Sequence, residues 1–315
     1  MSVAPLVFCD DDVRARLDAG AAVAAMRQAL VDAERGVLRA PPRVSADVGG
    51  GRLVFTTGAR RGRWFGYRSY DTFAAEPGAQ VVVAHDWQTG RVVAIAVGNE
   101  LGPRRTGATG GLAVDVLARP GAARAGLIGT GVQAWAQLWA VAAVRPLSDV
   151  AVWSRDGQRR AAFARRARDE LSLDAREAAS AEEAARGRDI VVLATNSARP
   201  VIDPAWIGPG CHVTTLGPKQ QGRAEFDVAF VLAQWRQEIP RRDLDDPAPL
   251  AVHWRLTELD VMDHTDHIVG QNWSRRQFRP ERMQFSCSTD RMAEMASQFR
   301  RLARRRLVIL GEPGT

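Results

Sequence analysis

The stretch Gly126-Leu127-Ile128-Gly129-Thr130-Gly131-Val132-Gln133-Ala134 ends a short apolar run in glycines spaced G-x-G-x-x-A. Gly129 permits a tight turn, Gly131 lets a pyrophosphate approach the backbone, and Ala134 keeps the following helix close to the sheet. The helix N-terminus opened by Thr130, Gly131, Val132 and Gln133 favours an anion, because its first N–H groups have no partner within the helix. Any tight strand-to-helix turn also selects glycine, so the motif gains its force from the βαβ setting around it.

The end of the next strand selects between dinucleotides. Val150-Ala151-Val152-Trp153 is followed by Ser154-Arg155, where an NAD site offers an acidic residue to the ribose 2′-hydroxyl. A hydroxyl and a guanidinium suit a 2′-phosphate, so NADP(H) is expected in preference to NAD(H). Asp156 reverses that preference if its carboxylate folds back onto the ribose, and the plainer reading of Arg155 is a solvated surface residue. After the third strand, Ala194-Thr195-Asn196-Ser197 is a second expected cofactor contact, with a polar helix cap as the rival reading. Leu216, closing the fourth strand, lies on the same carboxyl edge.

These residues need parallel strands to hold them. From Ala125 the order is strand, glycine turn, helix, strand, helix and a third strand over 189–194, then a fourth over 212–216. Short apolar strands alternating with helices predict an α/β fold with a Rossmann-type parallel sheet. Residues 1–119 predict a separate α+β region. Its helix is expected to start at Asp10-Asp11-Asp12, run through Val13, Leu17, Val23, Met26 and Leu30, and stop before Pro41-Pro42. Strands follow at 52–55, 67–70 and 80–85, the last in a hairpin turning between Asp86 and Gly90. Composition changes at Arg119-Pro120-Gly121, with no repeat and no low-complexity linker.

At 315 residues, 46% hydrophobic and 25% charged, the chain has the material for two folded domains and is neither disordered nor fibrous. It contains no run of about 18 uncharged apolar residues, so no membrane span is expected. The first residues turn acidic at once, which argues against a secretory signal, and Cys9, Cys211 and Cys287 are scattered; a cytoplasmic protein with free thiols is expected. The net charge of +7 rests almost wholly on arginine, for Lys219 is the only lysine. The basic clusters near Arg60 and Arg300 lack interleaved aromatics, so no nucleic-acid partner is expected. His264 and His267, with Asp263 and Asp266, lack the further ligands of a metal site, and none is expected.

From Pro41-Pro42-Arg43 to about Glu294 the chain resembles the ornithine cyclodeaminase/μ-crystallin family. The resemblance rests on Pro41-Pro42-Arg43, on Asn99-Glu100-Leu101 with Arg105-Thr106-Gly107-Ala108-Thr109, and on Ile128 to Ala134 and Ala194-Thr195-Asn196, in the family's order. It implies a homodimer. One domain, for substrate binding and dimerisation, is built from both chain ends (1–119 and 285–315), and 120–284 form the dinucleotide domain. It also implies an amino- or imino-acid substrate whose carboxylate is held by arginine in the cleft between them. Matched by motif, Arg43 and Arg105 are the carboxylate partners, a role suited to the planar guanidinium fork.

Two departures bear on the chemistry. The family's substrate-contacting lysine is replaced in Gly66-Tyr67-Arg68, making Arg68 a substrate and catalytic candidate. The aspartate that cyclodeaminases carry after a strand ending V-G is replaced in Leu216-Gly217-Pro218-Lys219. A protonated lysine cannot accept a proton but can donate one or orient a carboxylate, so Lys219 is the second catalytic candidate, with a surface loop residue as the alternative. Glu225 or Asp227 can supply a carboxylate if that loop folds back. Loss of the aspartate beside a retained cofactor motif favours reduction of an imine or imino acid, or the reverse amino-acid dehydrogenation. A cyclodeaminase-type lyase and a non-catalytic NADP-binding protein of the crystallin kind are the alternatives. Phe285-Ser286-Cys287-Ser288 resembles a late family segment near the nicotinamide, without its usual glycine. Trp135 and Trp139, one turn apart, read as core or dimer packing, and His212 as structural.

Overall fold

The computed structural model describes residues 4–41, 43–73, 80–208, 210–217, 219–220 and 223–226, with three short strands at 261–262, 268–269 and 308–310. The expected features at Asp227, His264, His267 and Phe285 to Ser288 lie outside these residues.

The first region opens with β1 (Leu6–Phe8), α1 (Asp10–Arg16) and α2 (Ala19–Glu34). The single expected helix is thus two, because Asp18 accepts from Ala21 N at 2.7 Å and starts a new helix there. The second helix stops at Glu34, ahead of Pro41, with Gly36 in the left-handed region at φ 67°. Asp12, not Asp10, caps α1, accepting from Cys9 N at 3.0 Å. Asp10 reaches away and accepts from Asn99 N at 3.0 Å and Glu100 N at 2.8 Å, at the start of α3 (Leu101–Leu117).

Between α2 and α3 the chain forms β2 (Leu38–Arg39), β3 (Val44–Asp47), β4 (Arg52–Arg60), β5 (Trp64–Asp71), β6 (Gln80–Asp86) and β7 (Val92–Gly98). With β1 they make one sheet, ordered β1-β7-β6-β5-β4-β2 with β3 also on β4. The pairs are antiparallel except β1 with β7. The β6–β7 turn is fixed by Asp86, which accepts from the N–H and hydroxyl of Thr89.

The second region runs β8 (Arg124–Ile128), α4 (Val132–Ala142), β9 (Asp149–Trp153), α5 (Gly157–Leu171), β10 (Ala175–Glu177), α6 (Ala181–Ala185), β11 (Ile190–Leu193), a short 3-10 turn (Pro204–Trp206) and β12 (His212–Thr215). Two hairpins, β13 (Lys219–Gln220) with β14 (Arg223–Ala224) and β15 (Val261–Met262) with β16 (Ile268–Val269), precede β17 (Val308–Leu310). The main sheet is wholly parallel, ordered β10-β9-β8-β11-β12-β17. This is the doubly wound arrangement, which reverses between β8 and β11. The α/β class with a Rossmann-type sheet beside an α+β domain is what the fold shows. The expected split at 119/120 falls between α3 and β8. Of the segment 285–315 expected to return to the first domain, the described strand β17 pairs instead with β12 in the parallel sheet.

Sequence patterns assigned no element to 101–117, because four glycines are a poor helix prescription. The structure shows their use. A Cβ on Gly107 would collide with Ala136 O, and one on Gly111 would lie 2.8 Å from the Ala140 Cβ, so glycine lets α3 lie directly on α4. Ala108, Leu112 and Ala140 then share a core with Ala22, Val23 and Leu30 of α2, joining the two regions. Trp135 meets Phe163 edge to face at 5.6 Å between centroids, with Arg166 over its other side at 3.7 Å, and Trp139 packs under Arg104 at 4.8 Å.

Candidate functional site

The reversal point of the sheet is flanked by two turns at the carboxyl ends of β8 and β11. Gly129 has φ 119°, which L side chains rarely adopt, and a Cβ on it would strike Ala194 O. The two turns therefore touch, tied by Ala194 N to Ile128 O at 2.9 Å. Gly131, the N-cap of α4, is different: a Cβ there would meet nothing within 4 Å. Its own fold does not require a glycine, and no described residue fills the space in front. Among the described residues no side chain caps the helix start, and Val132 beside it is 68% exposed. Unpartnered N–H groups, a bare glycine and free space fit a pyrophosphate. Gln133 Oε1 is buried with no hydrogen-bond partner among the described residues, while Ala134 is fully buried against the sheet.

At the end of β9, the Asp156 carboxylate accepts from Arg159 N at 3.1 Å and caps α5. Its position is that of a helix cap, not of an acid folded back over the turn. The Ser154 hydroxyl donates to Asp156 O at 2.9 Å, Arg160 holds Ser154 O at 3.0 Å, and Arg155 is exposed beside them. In the Ala194 turn, Thr195 is half-buried and the Ser197 hydroxyl donates to the carbonyl of the exposed Arg199 at 2.7 Å. Asn196 is the exposed member.

Glu225 was only a conditional candidate in the sequence, and the structure gives it a definite place. Its carboxylate is wholly buried and accepts from Thr195 N (2.8 Å), Thr195 Oγ1 (2.8 Å), Leu216 N (3.0 Å) and Gly217 N (2.5 Å). The carboxyl ends of β11 and β12 are bridged by one side chain. The backbone of Lys219 pairs antiparallel with Ala224, the residue before Glu225.

The arginines gather on the first sheet. Arg68 and Tyr70 alternate onto one face of β5. The Arg68 guanidinium lies over the Tyr70 ring at 4.7 Å, and Arg43 Nη1 donates to the Tyr70 hydroxyl at 3.2 Å. Arg68 Nε also donates to Gln80 Oε1 at 3.0 Å. A Cβ on Gly102 would come within 3.4 Å of Arg68 Nη2, so Arg68 reaches the first turn of α3. Arg105 stands three residues on, on the same helix face. Sequence reading missed Tyr70 and Gln80; the two-residue step from Arg68 was the signal for the former.

Helix packing brings this cluster toward the glycine turn. Contacts advance together along α3 and α4, Gly107 with Ala136 and Gly111 with Ala140, so the helices run in the same sense. Their N-terminal turns, one bearing Arg105 and the other Gly131 to Gln133, thus lie at one end of the pair.

The family model for ornithine cyclodeaminase/mu-crystallin proteins matches residues 6–234. Over 137 residues, 44% of this chain and 42% of the relative, the sequence is 36% identical to a Delta(1)-pyrroline-2-carboxylate reductase of Bacillus cereus. The chain spans about half the length, or less, of the curated relatives it matches. The solved structure of the Thermococcus litoralis Delta(1)-pyrroline-2-carboxylate reductase, in complex with NADH and L-proline, is 25% identical with a TM-score of 0.66, over 72% of this chain and 73% of that one. The iminosuccinate reductase of Paracoccus denitrificans, solved in complex with NAD+, shares the fold at 20% identity and a TM-score of 0.71, over 99% and 91% of the two chains. With a doubly wound sheet, an open glycine turn, an arginine cluster at the same end and a family match over most of its length, the chain belongs to the ornithine cyclodeaminase/mu-crystallin family.

Proposed function

We propose that this protein is an NADPH-dependent reductase of an imine or imino acid, or the corresponding amino-acid dehydrogenase in reverse. The observation that carries the reading is the open N-terminus of α4 at the same end as the turn of α3 bearing Arg105. An anion-binding turn beside an arginine cluster suits a dinucleotide next to a carboxylate-bearing substrate. Reductases of cyclic and open-chain imino acids among the relatives and solved structures support the reaction class.

In this reading Gly129, Thr130, Gly131, Val132 and Gln133 hold the pyrophosphate, and Thr195, Asn196, Ser197 and Leu216 line the nicotinamide side. Ser154 and Arg155 meet the ribose 2′-phosphate, a preference supported by the engagement of Asp156 as a helix cap. When bound, the cofactor supplies the hydride. Arg43 and Arg105 orient the substrate carboxylate, and Arg68, held by Tyr70 and Gln80, fixes the charge beside it. Lys219 donates the proton that the new amine nitrogen needs. A homodimer through the first sheet is part of the proposal: Val7, Tyr67, Val93 and Val97 share one face and are 66%, 38%, 43% and 41% exposed. A cytoplasmic setting is also part of the proposal and fits Cys9, an exposed thiol in no disulfide among the described residues.

The test is a titration of NADPH and NADH followed by turnover with cyclic imino acids. NADPH should bind at least about tenfold more tightly, a difference of about 1.4 kcal/mol, and be consumed. Equal or tighter binding of NADH would remove the assigned role of Ser154-Arg155. Ammonia release from ornithine, without NADPH consumption, would replace the reductase by the lyase.

A further inference from the structure

Among the buried charged groups, Glu225 combines full burial with four short contacts to the two turns at the carboxyl edge of the parallel sheet. Both oxygens are saturated: Oε2 by the N–H and hydroxyl of Thr195, Oε1 by Leu216 N and Gly217 N. A carboxylate so occupied has no lone pair facing open space, and it is 0% exposed, so it is badly placed to trade protons with a substrate. Burying a charge is costly unless it is fully hydrogen-bonded, and here the bonds all go to two cofactor-edge turns. The contact continues further, for Gly129 packs on Ala194 O and would bring a Cβ within 3.4 Å of Thr195 N. Two turns, after β11 and β12, are thereby held by one carboxylate, and the turn after β8 packs on the first of them. Gly217 completes the fit, since a Cβ there would run into both Glu225 Oε2 and Thr195 O.

We propose that Glu225 is a positioning residue: it sets the spacing of the Thr195 and Leu216 turns that receive the nicotinamide half of the cofactor, and takes no part as acid or base. The proposal rests on the dinucleotide reading given above. The adenine half, assigned to Ser154 and Arg155 at the far side of β8, does not depend on this carboxylate. Losing it therefore loosens one half of the cofactor and spares the other.

Calorimetric binding of NADPH and of adenosine 2′,5′-bisphosphate, which carries the adenine half alone, separates the two. In Glu225→Gln an amide N–H faces backbone donors on one side, and the variant should keep bisphosphate affinity within about twofold. Its NADPH affinity should fall about tenfold, the scale of one buried charged hydrogen bond lost. Glu225→Asp, which keeps the charge one methylene short, should lie between. Gly217→Ala, whose Cβ would press on the carboxylate and on Thr195 O together, should repeat the Gln pattern if Glu225→Gln fails to fold. Wild-type NADPH affinity in a folded Glu225→Gln or Gly217→Ala variant, or equal losses for both ligands, would overturn the positioning role while leaving the dinucleotide reading intact. Wild-type protein that binds neither compound would overturn both.

Discussion

At Lys219 the position that carries an aspartate in cyclodeaminases holds an ammonium, in a chain that otherwise uses arginine for positive charge. The proton of an ammonium can go to a developing amine, whereas ammonia expulsion needs a group that accepts one. Arg105 is assigned a different task, binding a carboxylate that does not change during reaction. The two should therefore separate in kinetics on an imino-acid substrate. Lys219→Met is expected to lower kcat by roughly 100-fold with a near-normal KM, the scale of a lost acid–base group. Arg105→Ala should mainly raise KM, by a factor matching about 2 kcal/mol. An unimpaired Lys219→Met enzyme would make the lysine a loop residue. Lys219, in β13, and Glu225, directly after β14, are thus proposed for separate roles.

Among the elements, the α3–α4 pair decides whether the arginines and the glycine turn share a cleft. Gly107 makes the closest approach to the α4 backbone, and its would-be Cβ meets the carbonyl of Ala136, not a side chain that can swing away. Gly107→Ala gains about 1 kcal/mol of helix propensity, yet overpacking at such a contact typically costs about 1–3 kcal/mol. The expected net result is a small loss of stability and a displaced α3. Substrate KM should then rise more than NADPH affinity falls, because the cofactor turns belong to the parallel sheet. A variant with wild-type stability and wild-type KM would show that this helix contact is not what sets the cleft.

For the molecule as a whole, acid is the informative perturbation. His212 is fully buried, and burial, with a smaller contribution from the Arg145 charge, lowers its pKa to about 3. Its Nε2 lies 3.0 Å from Thr214 Oγ1 within β12. Asp189 sits at the opposite edge from the cofactor turns. Burial alone would raise its pKa, but hydrogen bonds from Ala123 N and Arg124 N and from the Arg124 and Arg119 guanidiniums outweigh it and hold the carboxyl at about 2. Below pH 6.5 the unfolded histidine takes a proton that the folded one refuses, so its stabilisation is complete above 6.5 and declines toward 3. The Asp189 contribution is complete above 3.8 and is lost only between there and about 2. Unfolding free energy should thus fall by ~2 kcal/mol per single His212-type site from pH 7 to pH 5, before Asp189 titrates at all. Denaturant melts of His212→Gln at the two pH values should show that difference largely removed; an unchanged pH slope would mean His212 is not the titrating group.

The glycine turn, the Ser154-Arg155 end of β9 and the alternation of strands and helices were legible in the residues alone, because turn sterics and hydrophobic periodicity are local. So were β5, β6 and the hairpin after Asp86, whose side chains satisfy their own turn. The break in the first helix was there to be read in Asp18, but apolar spacing continued across it and concealed it. What the tertiary structure decided was every relation between distant segments. The glycines of α3 look like helix breakers until α4 lies against them, since their value is in the side chains they omit. Tyr70 becomes a post between two arginines only once the sheet brings Arg43, just before β3, across to β5. Glu225 is only a conditional carboxylate in a polar loop until the ends of β11 and β12 close around it, because a carboxylate is assigned its role by the donors that surround it, and these come from residues 195, 216 and 217.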